Sequence, residues 1–159
     1  STLFPYTTLF RSTAIPNALY VAFGLILSAG GVSQALAGAL SGMGESYLVA
    51  MPFLGAFAGF ITASNTGAMA LIGPLQMDTG AALGVPPPWS NGLHNAAAGW
   101  GIVAGPARIQ VAHGMAAGAQ SPQMPGWAVT RRNLFVVLLP AMLAGILGMA
   151  VMGWFLLPR

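Results

Sequence analysis

Uncharged apolar runs, cut at intervals by Gly, Pro and small polar residues, set the pattern of this chain. From Ala18 to Leu40 no residue carries a charge. Those 23 residues make about 34 Å of helix, enough to cross a hydrocarbon core of about 30 Å. Pro16, just ahead, suits a helix start. Gly30 and Gly31 near the middle invite a kink, so one span and two shorter helices both stand as readings. Leu134 to Leu157 is the clearest span: 24 residues without an ionisable group, between Arg131 with Arg132 and Arg159. Pro140 within it is tolerable, because neighbouring helices and local adjustment satisfy the freed backbone group in a membrane. The paired arginines favour a cytoplasmic start for this helix, by a margin of one residue over Arg159.

Between these spans the apolar stretches are shorter. Phe53 to Ala63 is eleven residues and Ala68 to Met77 is ten, each about 15 Å of helix, the length of a re-entrant arm. Pro52 and Pro74 punctuate the arms and "SNTG", Ser64 to Gly67, forms the tip between them. After "GVPPPWS", Trp89 to Trp100 predicts a helix, "GIVAGP" at 101 to 106 breaks it, and Ala107 to Gly118 resumes. The pattern predicts an all-α membrane protein: a polytopic helical bundle with a re-entrant helical hairpin and a broken helix, and no soluble linker or second domain.

Composition agrees. With 56% hydrophobic residues, a mean hydropathy of +0.76 and only Glu45 and Asp78 as acids, the 159-residue chain cannot cover a globule with solvated side chains. The net charge of +3 comes from five arginines with no lysine, which excludes a clustered basic face for nucleic acid. The absence of cysteine excludes disulfides and thiolate metal sites. Residues 1 to 20 do not have the form of a secretory signal.

The opening "STLFPYTTLFRS" contains no Gly and no Ala, whereas all 22 glycines lie downstream. Thr2 to Ser12 resembles the conceptual translation of a common sequencing-adapter oligonucleotide, so residues 1 to 12 are expected to be adapter-derived. Residues 13 to 159 are then the C-terminal transmembrane part of a longer protein. A strand-prone or interfacial segment is the other reading of Phe4, Tyr6, Phe10 and Arg11.

"FITASNTGAMALIGPLQ", residues 60 to 76, is where chemistry is expected. Non-helical backbone at membrane depth survives only where it is buried in protein or lines a wet cavity. At the tip the second arm begins with free N–H groups and the positive end of its dipole, while Ser64, Asn65 and Thr66 add two hydroxyls and a carboxamide. This combination can hold a carboxylate, and its oxygens with the carbonyls ending the first arm can coordinate a cation. Gly67 allows close approach. An ordinary N-cap of a buried helix is the plainer reading of the same residues. Gln76 and Asn95 flank the expected cavity, and hydrogen bonding between helices accounts for either equally well. His94 and His113 lack a third ligand and read as packed or helix-end imidazoles, with a proton relay as the alternative. Glu45 and Asp78 fall where loops meet headgroups. No nucleophile with a base, paired carboxylates or Gly-Lys phosphate loop points to an enzyme, and no cofactor is expected.

"PFLGAFAGFITASNTGAMALIGPLQ", "AALGVPPPW" and "NAAAGWGIVAGPARIQVA" resemble the C-terminal part of the L-lactate permease family, over roughly Gly42 to Trp154. The resemblance implies a transporter of lactate or glycolate in the bacterial inner membrane, coupled to a proton or sodium gradient. It also implies the second half of an inverted-repeat fold in which two Ser-Asn-Thr tips meet around substrate and ion. This chain carries one such tip, Ser64 to Thr66, so the partner half of the protein is expected upstream. Where the family reads "GKMISP", Gly101 to Pro106 runs "GIVAGP": the lysine is Ile102 and the serine Gly105, which bears on which organic anion is carried. Arg108 either restores the lost positive charge in a cavity or snorkels to the interface. The substrate-binding set expected is therefore Ser64, Asn65, Thr66, Gly67, Gln76, Asn95, Gly101, Pro106 and Arg108, with a non-transporting membrane scaffold as the rival reading.

Overall fold

The computed structural model describes residues 5–119 and 130–156, and the described residues form seven α-helices. They are α1 (Pro5–Ala29), α2 (Val32–Ser41), α3 (Ser46–Thr62), α4 (Asn65–Ala82), α5 (Pro87–Val103), α6 (Pro106–Ala119) and α7 (Arg131–Leu156). α4 lies between two layers, with α1 and α2 on one side and α3 and α5 on the other; α7 packs on the outer side of α3 and α5. Part of the adapter-like stretch, residues 5–12, is helical and continuous with α1, whereas residues 1–4 lie outside the described residues. Leu157 and Arg159, the end of the last predicted span, also lie outside them.

The Ala18 to Leu40 run is broken rather than straight. Its two parts meet at an angle of 73°. Gly31 makes the corner at φ +73°, a left-handed conformation that glycine adopts without strain. α7 is the one described helix long and apolar enough to cross a membrane unaided, and only 11% of its most apolar window is buried in the protein. Thr130 caps it by accepting the Asn133 N–H at 3.1 Å. Exposed Leu25, Ile26, Phe57, Val137 and Phe155 give the bundle an apolar outer surface suited to lipid.

The arms of the central hairpin are longer than expected. α3 has 17 residues and α4 has 18, about 26 and 27 Å: α3 runs through Pro52, after which its arm was expected to begin, and α4 holds Pro74 inside and extends beyond the expected arm at both ends. Without water, ending a helix strands several N–H and C=O groups, whereas a proline inside it strands one carbonyl. For Pro74 that carbonyl belongs to Ala70, and α1 places Gly24 directly against it, where a Cβ would collide. Arms of 17 and 18 residues correct the expected lengths of eleven and ten. The break after α5 is also smaller than "GIVAGP": α5 continues to Val103, and Ala104 with Gly105 form the whole interruption.

α3 and α5 run parallel and touch backbone to backbone. A Cβ on Gly59 would strike the Ala98 carbonyl, one on Gly101 the Ala56 carbonyl, and one on Gly55 would lie 2.9 Å from the His94 carbonyl. Small residues four apart on both helices, Gly55 with Gly59 and Ala97 with Gly101, make this approach feasible. Gly59→Leu is accordingly expected to force the pair apart at a cost of at least about 1–3 kcal/mol. Thermal unfolding in detergent checks it: an unchanged midpoint would mean that the crossing is not close-packed.

Candidate functional site

The hairpin turns in two residues. Ala63 takes the left-handed conformation at φ 53° and its N–H donates to the Gly59 carbonyl at 2.8 Å. Ser64 is extended and caps α4, its Oγ accepting the Gly67 N–H at 3.1 Å. Thr62 holds the turn from below: its Oγ1 accepts the Ser64 N–H at 3.3 Å and lies 2.8 Å from the Ala58 carbonyl and 2.9 Å from the Ser64 carbonyl, either of which takes its proton. The first N–H groups of a helix have no partner within it, so the amides of Asn65 and Thr66 stay directed out of the N-terminus beside the positive end of the dipole.

Those two residues form one wall of a cleft of about 550 Å³ between α4 and α5, lined by Asn65, Thr66, Met69, Ala70, Asn91 and Asn95. It is polar, offering three carboxamides and one hydroxyl without a formal charge. Asn91 and Asn95 are one turn apart on α5, and Gly99, a turn further on, leaves room for Asn65, whose carboxamide lies 3.9–4.0 Å from the point a Cβ there would occupy. Two other depressions, lined by Trp89, Leu93 and Met149 and by Phe53, Phe57 and Phe135, are apolar.

The nine residues singled out from sequence do not all meet here. Asn65, Thr66 and Asn95 line the cleft. Ser64 and buried Gly67 build the tip that shapes it. Gln76 lies at the other end of the hairpin, fully buried, its Nε2 donating to the Met51 carbonyl at 3.2 Å. Gly101 is committed to the α3 crossing, and Pro106 starts α6 at the surface. Arg108 is exposed on α6 and does not line the cleft. Of the acids, Glu45 is exposed, whereas Asp78 is half-buried with Oδ2 enclosed and unpartnered. Asn91 was missed; its signal was the four-residue spacing to Asn95, which sets both amides on one helical face. Among the described residues no three His, Cys, Asp or Glu side chains gather as a metal site.

Apolar helices around an uncharged hydrogen-bonding cleft are the arrangement expected of a membrane transport protein. The sequence matches the family model described as L-lactate permease over residues 8–150, and the chain belongs to that family, one of transporters and not enzymes. Neither a curated protein nor a solved structure matches it.

Ser64→Ala removes the cap and is expected to cost about 0.5–2 kcal/mol of stability. Denaturant or thermal unfolding of the detergent-solubilised variant measures this, and a loss of zero would show that the Gly67 amide is satisfied without the hydroxyl.

Proposed function

We propose that the α4/α5 cleft is the binding site of a secondary transporter for a small monocarboxylate of the L-lactate type. The observation that carries this reading is the meeting of Asn65 and Thr66, at the amino end of α4, with Asn91 and Asn95 on α5. A carboxylate placed there faces two free backbone amides, the dipole of an 18-residue helix and NH2 donors from three carboxamides. The carboxamide oxygens are left to accept from a hydroxyl on the adjoining carbon. Neutral donors suit transport, because they bind an anion firmly enough to select it and let it go again; a fixed arginine would hold it longer. In this reading Ser64 and Gly67 are structural members of the tip, Gln76 and Gly101 hold the helices in register, and Pro106 and Arg108 lie away from the substrate. Family membership supports lactate as the substrate class. Coupling to a proton or sodium gradient, a location in the bacterial inner membrane and an inverted-repeat partner for this hairpin complete the proposal.

Uptake of labelled L-lactate into vesicles containing the full-length protein tests it. Asn95→Ala and Asn91→Ala are expected to raise KM about tenfold or more, since a hydrogen bond to a charged group is worth about 1.5–3 kcal/mol. Arg108→Gln is expected to leave KM unchanged. Wild-type KM in both asparagine variants would remove the cleft as the binding site.

A further inference from the structure

A second polar zone lies inside the bundle, on the inward face of α5, about a quarter-turn from the cleft. Tyr47, Gln76, Ser90 and His94 are all at most 1% exposed, and each ends in atoms without a hydrogen-bond partner: the tyrosine hydroxyl, Gln76 Oε1, Ser90 Oγ and both ring nitrogens of His94. These atoms share the seam between α3, α4 and α5. At its lowest level the Tyr47 hydroxyl approaches Thr79 without meeting it in hydrogen-bond geometry, since the Thr79 hydroxyl donates to the Leu75 carbonyl at 2.7 Å. Gly80 at that level packs on the Ser90 hydroxyl. One turn up, Gln76 is bound to Met51. One turn further, Gly55 packs on His94, whose imidazole lies against the Ala68 backbone. The column therefore follows Tyr47, Met51 and Gly55 over a little more than two turns of α3, about 12 Å. Ala58, Ala68 and Ala98 close its upper end as a dry cluster.

Buried polar atoms are rarely left unsatisfied in a protein, so a run of them in one seam calls for a structural or functional account. Of the side chains in the column, only the imidazole changes charge near neutral pH when unperturbed. The groups facing it are Gly55 from α3 and the Ala68 peptide from α4; Tyr47 is the other titratable side chain in the seam. α3 and α5 contain no acid, and Asp78, two residues beyond Gln76, sits on the opposite face of α4. An imidazolium at position 94 thus lacks a carboxylate partner within the three helices. An anion in the cleft is the charge that can balance it, because Asn91 and Asn95 are the neighbours of Ser90 and His94 on the adjoining face of the same helix.

We propose that His94 carries the coupled proton: a ring nitrogen accepts it through the column of Tyr47, Ser90 and Gln76 when a carboxylate occupies the cleft, and gives up the same proton after the anion leaves. The other ring nitrogen keeps its hydrogen throughout, and no other bond changes. This rests on the transport reading above and adds to it the residue and the route.

The test uses vesicles of the full-length protein loaded with a pH-sensitive dye, with labelled L-lactate exchange followed in parallel. His94→Gln is expected to abolish lactate-driven internal acidification while exchange at equal lactate and pH on both sides persists. Acidification at the wild-type rate in that variant overturns the proposal and leaves the binding site standing; a wild type that neither takes up nor exchanges lactate overturns both. Because His94→Gln can disturb the seam, the imidazole 15N signals of the otherwise unchanged full-length protein provide a second measurement, the His94 signals being those that His94→Gln removes and His113→Gln leaves in place. The His94 signals are expected to shift toward the protonated form when L-lactate is added at constant pH, and signals indifferent to lactate overturn the proposal.

Discussion

The backbone contact between α3 and α5 is the constraint on which the rest of the molecule depends. In lipid no hydrophobic force drives one apolar helix against another, so association relies on close packing and a few interhelical hydrogen bonds. Gly55, Gly59 and Gly101 permit that packing by letting carbonyls of the facing helix sit where side chains would be. α7 then adds a further layer, with Gly145 lying against the Trp100 ring. Without the crossing, α5 would have no fixed rotation, and its asparagines no fixed direction.

The same medium explains how the hairpin is built. Helices pass through Pro52 and Pro74, since in an apolar environment a single lost hydrogen bond is less costly than an exposed helix end. The backbone leaves helical geometry only at Ala63 and Ser64, where Thr62 and Ser64 side chains replace what the turn gives up. This puts the unsatisfied amides of α4 at one defined place. Gly24 against the Ala70 carbonyl applies the same economy at the opposite face of α4.

α5 carries two polar stripes with different fates. Ser90 and His94 are enclosed, while Asn91 and Asn95, one residue further along in each case, open to the cleft. A step of one residue turns a helix by about 100°, so a single element presents neutral hydrogen-bonding groups to the cleft and a titratable ring to the interior. Coupling between the two would then need no large motion of α5, only charge acting between adjoining faces.

Sequence alone was enough for the broad class: uncharged runs with 4% charged residues point to helices in a membrane, and "SNTG" marks the start of the second arm, with Ser64 where the backbone leaves the helix. The resemblance to L-lactate permeases was likewise legible in local motifs. What sequence reading could not supply was the length of the arms: Pro52 hid the start of α3, since proline breaks a helix in water and is tolerated in lipid, and polar residues such as Asn65, Thr66, Asp78 and Thr79 hid the two ends of α4. Nor could it tell that Gln76 and Gly101 serve helix contacts while Asn91 joins Asn65 and Asn95. Small and amide residues have the same apolar neighbours along the chain in either role. Their assignment follows from the rotation of each helix, which is set only when Gly55, Gly59 and Gly101 meet the backbones packed against them.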